Sequence, residues 1–473
     1  MADPRGSGRR PGGKPPARRP AVDAPRAAAY SVMKAVRVEQ AYTNLVLPHV
    51  LAEAGLSGRD AAFTTELVSG TIRRQGTYDA ILAACVDRKL AKVESKVLDA
   101  LRLGTHQLLS MRVPSHAAIS TTVDLVRSEV GPGAAGFTNA VLRKVSQHDL
   151  DQWVRRIAPE DEIGFASVAH SHPRWVVEAL REALGAPDEL DALLAADNAP
   201  PRVVLVARPG LAGVDELVAA GGVVSTQSPF AVELSGGDPG AVPAVVQGRA
   251  GVQDEGSQLV ALALAGASVA GSDRLWLDLC AGPGGKTALL AALAAQREAR
   301  VLAAELQPHR AGLVRRGTRA ARSGMAGVVA ADGTRPPWSD GTFDRVLVDA
   351  PCSGLGALRR RPESRWRRMP KDLDELVPLQ RALLGAALDA VRPGGVVLYA
   401  TCSPVLSETA GVVQAALAAR ADVLLEDVSA TLAAVPGVRI DAETSRGPMD
   451  GTVQLWPHRH NTDAMFLAQL RRL

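Results

Sequence analysis

The chain has 473 residues, 47% of them apolar and 22% charged, which excludes a wholly disordered chain and leaves room for several packed cores. The formal charge is only +4. Residues 1–29 hold Arg5, Arg9, Arg10, Lys14, Arg18, Arg19 and Arg26 against Asp3 and Asp23, so the rest is near neutral and a nucleic-acid site must be sought in local patches.

Taken in chain order, residues 1–29 are rich in Pro, Gly and Arg and predict a disordered basic tail, one that solubilises the chain or brushes RNA through counterion release. No apolar run reaches the ~18 residues of a membrane span, and no apolar segment of a secretory signal follows the basic start. Residues 30–148 repeat apolar side chains at three- and four-residue intervals, as in Val97, Leu98, Leu101 and Leu108. With Gly55, Gly104 and Gly131-Pro132-Gly133 as punctuation, they predict an all-α bundle of five to seven helices. Residues 149–252 predict linker helices, with a connecting segment to about residue 170, then a small α+β subdomain whose strands lie at Val203–Val206 and Gly221–Val224. From 253 to 473, apolar runs at Arg274–Cys280, Arg300–Leu306, Gly327–Ala331, Phe343–Ala350 and Val396–Cys402 alternate with helical stretches. That alternation predicts an α/β, doubly wound, mostly parallel Rossmann-like sheet, with ligands beyond the carboxyl ends of its strands.

The first of these strands runs into Asp278-Leu-Cys280-Ala281-Gly282-Pro283-Gly284-Gly285-Lys286-Thr287 as a helix begins. A phosphate-cradling P-loop needs glycine where Cys280 stands, and a dinucleotide fingerprint starting at Gly282 needs Gly or Ala where Thr287 stands. S-adenosylmethionine (AdoMet) carries no phosphate; its site needs glycines for close approach and an acid to grip the ribose. Glu305, 20 residues after Gly285 and at the end of the second strand, supplies that acid, and Asp332 after the third strand is placed to accept from the adenine amine. Either acid alone reads as a loop residue or helix cap; their strand-by-strand succession after the glycine loop carries the cofactor reading.

The fourth and fifth strands end in Asp349-Ala-Pro-Cys352-Ser-Gly and Tyr399-Ala-Thr-Cys402-Ser-Pro. One cysteine at a strand end reads as a small apolar residue; two, at strands adjacent in the usual methyltransferase order, face one cleft. Chemistry that needs such a pair is methylation at a pyrimidine carbon. Cytosine C5 is a weak nucleophile until a thiolate adds to C6, and the C5 proton must then leave before the thiolate is expelled. Asp349 is placed to hold N3 and the exocyclic amine. Cys85 and Cys280 read as core and backbone contributors. With no Cys-x-x-Cys pair, no metal is expected, and reduced thiols point to the cytoplasm.

These three blocks resemble the signatures of the RNA cytosine-C5 methyltransferases, specifically the bacterial ribosomal RNA branch known as Sun or Fmu. The resemblance implies that Cys402 is the covalent nucleophile and that Cys352 assists release. It also implies that Cys280, Ala281, Gly282, Pro283, Gly284, Gly285 and Lys286, with Glu305, Asp332 and Asp349, line the AdoMet pocket. Phe137-Thr-Asn-Ala-Val-Leu-Arg143 makes residues 30–148 similar to the RNA-binding NusB domain that this branch carries, and the implied partner is 16S ribosomal RNA. The chain departs from the family at Val203–Arg208, which lacks an Arg-x-Asn strand, and at Asp463-Ala-Met-Phe466 in place of Asp-Gly-Phe-Phe.

Between Cys352 and the next helix lie Arg359, Arg360, Arg361, Arg365 and Trp366, read as phosphate-pairing guanidiniums and a stacking indole at the cleft mouth. A target in splayed-out RNA follows, since a stacked base hides C6. Two other readings remain open: a transfer RNA target, and a non-catalytic RNA-binding or ribosome assembly factor.

Overall fold

Asp23 opens the first helix by accepting the Arg26 N–H at 2.8 Å, with Pro25 in the first turn, where its missing donor costs nothing. The computed structural model describes residues 23–473. Residues 24–29, expected to belong to a disordered tail, are helical, and residues 1–22 lie outside the described residues. The chain divides into two units. One takes in the stretch up to Ala41, Leu45–Thr71 and Tyr78–Ile157; the other takes in Tyr42–Asn44, Ile72–Thr77 and Ala158–Leu473.

The helical part comprises α1 (Ala24–Val38), α2 (Thr43–Glu53), α3 (Gly58–Arg73), α4 (Gln75–Cys85), α5 (Ser95–Leu109), α6 (Ser115–Glu129) and α7 (Ala135–Val145). Tyr78, Ile81, Leu82, Leu101 and Leu142 meet in its core, and Cys85 is buried among them. The helix Leu150–Ile157, expected to belong to the linker that starts at 149, packs with this bundle. Its Trp153 enters the same core and donates its indole N–H to the Val145 carbonyl at 2.9 Å.

In the second unit, β1 (Val204–Ala207), β2 (Gly222–Val224), β3 (Ala231–Leu234) and β4 (Ala250–Val252) form a small antiparallel sheet in the order β2-β3-β1-β4. The sequence shows β1 and β2 as apolar runs; β3 carries Glu233 and β4 Gly251, which break such a run.

The large sheet contains β5 (Leu275–Asp278), β6 (Arg300–Glu305), β7 (Met325–Ala330), β8 (Phe343–Asp349), β9 (Val391–Thr401), β10 (Val423–Glu426) and β12 (Phe466–Arg472), in the order β10-β12-β9-β8-β5-β6-β7, with β11 (Val453–Gln454) paired to β12. The pairs from β9 through β7 are parallel, while β12 runs antiparallel to β9 and β10. Successive side chains leave opposite faces: Trp276 packs under the helices Glu255–Gly266 and Gly285–Ala295, and its neighbour Leu277 packs with Leu384 of the helix Leu373–Ala390. Burial on both faces explains why these strands read as continuous apolar runs. The fold is a helical region followed by a Rossmann-like sheet, and the carboxyl ends of β5, β6, β8 and β9 share one edge.

Candidate active site

The glycine loop leaves β5 at Asp278 and enters the helix Gly285–Ala295 through Gly284, whose φ of 114° lies where an L side chain is strained. Thr287, in the first turn, ties back to Asp278 Oδ2 at 2.7 Å. Glu305, at the end of β6, accepts the Gly282 N–H and the Gln307 N–H at 3.0 Å each, and Arg310 donates to the Gly282 carbonyl at 2.8 Å. The acid predicted from spacing thus stands against the loop. Asp332 lies after β7, exposed, accepting from the Thr334 N–H at 2.9 Å and its hydroxyl at 2.7 Å, which hold its carboxyl below the usual range. Burial pushes the Cys280 thiol well up, in keeping with a backbone role.

Residues of this loop fit AdoMet. Asp278 Oδ1 is buried at the base of the loop with no hydrogen-bond partner among the described residues, an acceptor suited to an ammonium group. Each Glu305 oxygen, accepting one backbone N–H, keeps a lone pair for a ribose hydroxyl. Burial raises the Asp278 carboxyl to about 7, the Thr287 bond opposing and the Asp349 charge adding to it.

β8 and β9 are neighbours, with Asp349 opposite Ala400 in register, so the loops that follow them rise side by side. Cys352 Sγ and Cys402 Sγ stand 3.4 Å apart. Lys286 Nζ bonds Asp349 Oδ2 at 2.9 Å; burial opposes the ammonium charge, but the Asp349 carboxylate outweighs it and holds the Lys286 pKa above its ordinary value. The two thiols are driven apart. The Cys352 thiol is pushed well up by its hydrogen bond to Cys402, by burial, and by the negative charges of Cys402 and Glu408. Cys402 is held below its usual range by the hydrogen bond from Cys352, which outweighs burial and the Asp349 charge, with Lys286 and Arg361 also favouring the thiolate.

One residue that sequence reasoning missed joins the loops. Glu408 is fully buried; its Oε1 accepts from the Ser353 N–H at 2.7 Å and Gln380 Nε2 at 2.9 Å, and its Oε2 from the hydroxyls of Ser353 at 2.5 Å and Ser403 at 2.6 Å. A signal was present in the repeated Cys-Ser dipeptide, Cys352-Ser353 and Cys402-Ser403.

The arginine stretch, expected to pair RNA phosphates and stack a base at the cleft mouth, is mostly bonded within the protein. Arg359 and Arg365 are 3% and 0% exposed. Arg359 donates to Asn461, and Arg365 to the Ser171 and Asp197 carbonyls and Asn198 Oδ1. Arg360 bridges Asp254 and Asp463, and Trp366 is half-buried with its indole N–H on the Ile72 carbonyl of the same unit. A buried guanidinium must be satisfied inside the protein, so these groups are spent on the fold. Arg361 is exposed, and its charge reaches Cys402. Asp463 is buried, and burial raises its carboxyl to about 6. Among the described residues no cluster of His, Cys, Asp and Glu suits a metal ion, and no helix is long and apolar enough to cross a membrane.

Residues 268–471 match the family described as 16S rRNA methyltransferase RsmB/F, and residues 23–147 match the NusB family. Ribosomal RNA small subunit methyltransferase B of Pseudomonas syringae pv. tomato is 34% identical, over 83% of this chain and 86% of its own. A Mycobacterium tuberculosis protein with a provisional methyltransferase name is 52% identical, over 98% of this chain and 99% of its own. The solved structure of PH0851 superposes with a TM-score of 0.78 at 22% identity, covering 95% of this chain and 98% of that one. A methyltransferase homolog from Pyrococcus horikoshii gives 0.54 at 20%, covering 67% and 100%. The two structural likenesses bear on the fold alone.

Proposed function

Because this chain belongs to the 16S rRNA methyltransferase RsmB/F family, with a NusB-family region ahead of the catalytic sheet, we propose that it methylates C5 of a cytosine in 16S ribosomal RNA through a covalent cysteine adduct. The observation that carries this reading is the thiol pair, 3.4 Å apart at the ends of adjacent strands beside the Lys286–Asp349 pair. When bound, AdoMet supplies an electrophilic methyl group to C5; the glycine loop, Glu305, Asp332 and Asp278 are the residues that would hold it.

The chain's own groups do the rest. Cys402, whose thiol is held below its usual range, adds to C6 as the thiolate, and the electron pair that arrives makes C5 nucleophilic. Asp349 accepts from the base's exocyclic amine while Lys286 fixes the carboxylate. After C5 is methylated, Cys352 gives its proton to the departing Cys402 sulfur as the C6–S bond breaks. Cys352 then takes up the C5 proton, the electrons of the C5–H bond restoring the C5–C6 double bond. The pair then holds one proton more than at the start and returns it to solvent. Arg361, exposed and acting on Cys402, is the guanidinium of the stretch best placed to meet an RNA phosphate.

Labelled AdoMet with 16S RNA gives the test. The wild-type protein is expected to produce 5-methylcytosine, and Cys402→Ala none. Normal methylation by Cys402→Ala would remove this mechanism.

A further inference from the structure

The loops that carry the two reacting cysteines are tied to each other by buried groups. β8 and β9 are adjacent parallel strands, with Asp349 opposite Ala400, so the loops that follow start ~4.8 Å apart. Just past the cysteines, the Ser353 and Ser403 hydroxyls stand 2.9 Å apart and both bond to Glu408 Oε2. Gly356 adds a third tie, its N–H on the Cys402 carbonyl at 2.9 Å. Cys352 Sγ and Cys402 Sγ are thereby confined 3.4 Å from each other. A disulfide joins residues whose Cα atoms stand about 4.4–6.8 Å apart and draws the sulfurs to about 2.05 Å. From 3.4 Å, side-chain rotation has about 1.4 Å left to close. Both cysteines are partly exposed, so a small oxidant can reach them, whereas Cys85 is buried.

We propose that Cys352 and Cys402 are also a redox switch: a peroxide joins them as a disulfide, which stops methyl transfer until a thiol reductant reopens the bond. One sulfur, as the thiolate, attacks a peroxide oxygen and becomes a sulfenic acid as the O–O bond breaks. The departing hydroxide takes up the proton that this thiol released and leaves as water. The second sulfur then gives up its proton and attacks the first. The S–S bond forms as the S–O bond breaks, and the hydroxide carries that proton away as a second water. Two thiols lose two electrons and two protons, and one peroxide becomes two waters. Either sulfur can begin, because the product is the same. The second step runs between groups already held together, so it outpaces further oxidation to a sulfinic acid, which thiol reductants do not reverse. The loss of methyl transfer rests on the reading of Cys402 as the attacking group; the disulfide itself rests only on where the sulfurs stand.

The test exposes the reduced full chain to hydrogen peroxide without RNA and removes the excess with catalase. Thiols counted in denaturant should fall from four to two, the chain's four cysteines less the joined pair. Mass spectrometry of unreduced peptides should find those of Cys352 and Cys402 linked, and dithiothreitol should restore all four thiols. Methyl transfer to 16S RNA should fall in proportion to the linked fraction and return with the thiols. In Cys352→Ala, the same peroxide should leave Cys402 as a sulfinic acid that dithiothreitol does not reverse. Sulfinic Cys402 in the wild-type chain with Cys352 still free would overturn the proposal. A link to Cys85 or Cys280 in place of this one, or a linked chain that methylates at the reduced rate, would overturn it too. Should Cys352→Ala fail to fold, the wild-type peptide map decides alone. If the reduced chain methylates no RNA yet forms the link reversibly, the functional reading fails while the reversible disulfide stands.

Discussion

Replacing Cys352 with alanine separates the two tasks assigned to the thiol pair. The substitution removes the donor that stands 3.4 Å from Cys402 Sγ and is the largest influence holding that thiol down. A hydrogen bond to a charged group contributes about 1.5–3 kcal/mol, and a thiol is a weak donor, so the lower end applies. Near neutral pH, losing it leaves about tenfold less Cys402 thiolate. Addition to C6 should slow by about that factor but persist, because Lys286 and Arg361 remain. Release loses the group that exchanges protons with the leaving sulfur, so the adduct should accumulate. Two assays read the two effects. Iodoacetamide labelling of Cys402 across pH should show its midpoint moving upward, and a denaturing gel after incubation with AdoMet and 16S RNA should show a protein–RNA band that survives denaturation. A midpoint that stays put, or an absent adduct despite normal AdoMet binding, would refute the reasoning.

Two further outcomes follow from the geometry. Asp278 has its carboxyl raised to about 7 in the fold by burial, against about 3.9 in an unfolded chain. The stability it contributes is therefore complete below roughly pH 4 and lost as pH rises through 7, at about 1.4 kcal/mol per pH unit in between. Asp278→Asn, neutral throughout, should flatten the fall in melting temperature over that window, and an unchanged slope would assign the dependence elsewhere. Gly356 donates to the Cys402 carbonyl at 2.9 Å, and a Cβ there would stand 2.1 Å from the Ala464 carbonyl oxygen and 2.9 Å from that of Cys402. Both are backbone atoms that cannot turn aside, so Gly356→Ala should cost about 1–3 kcal/mol or more and cut methyl transfer over tenfold; wild-type melting and activity together would contradict that packing.

The parts of this protein legible in its sequence are those written by neighbours in the chain. A strand buried on both faces must be an uninterrupted apolar run, so β5, β6, β8 and β9 and the loops after them can be placed before any fold is seen. The loop residues Gly282–Lys286, Glu305, Cys352 and Cys402 follow because each sits at a fixed offset from a strand end. Helix 150–157 belongs with the bundle and not with the expected linker because the indole that anchors it, Trp153, bonds to Val145 and packs in a core assembled from other helices. β10 and β12 were also hard to see, since an antiparallel addition to a parallel sheet is settled by which edge is left to pair. Charge misled most. Arginines at 359, 360 and 365 look like an RNA surface until Asn461, Asp463, Asp254 and Asn198, all distant in the chain, arrive to bury them. Glu408 is the converse, an unremarked acid that tertiary packing sets between two cysteine loops. Composition and spacing determined which groups could react; burial and partnership, which depend on contacts across tens to hundreds of residues, decided which of them carry charge and where the proton rests.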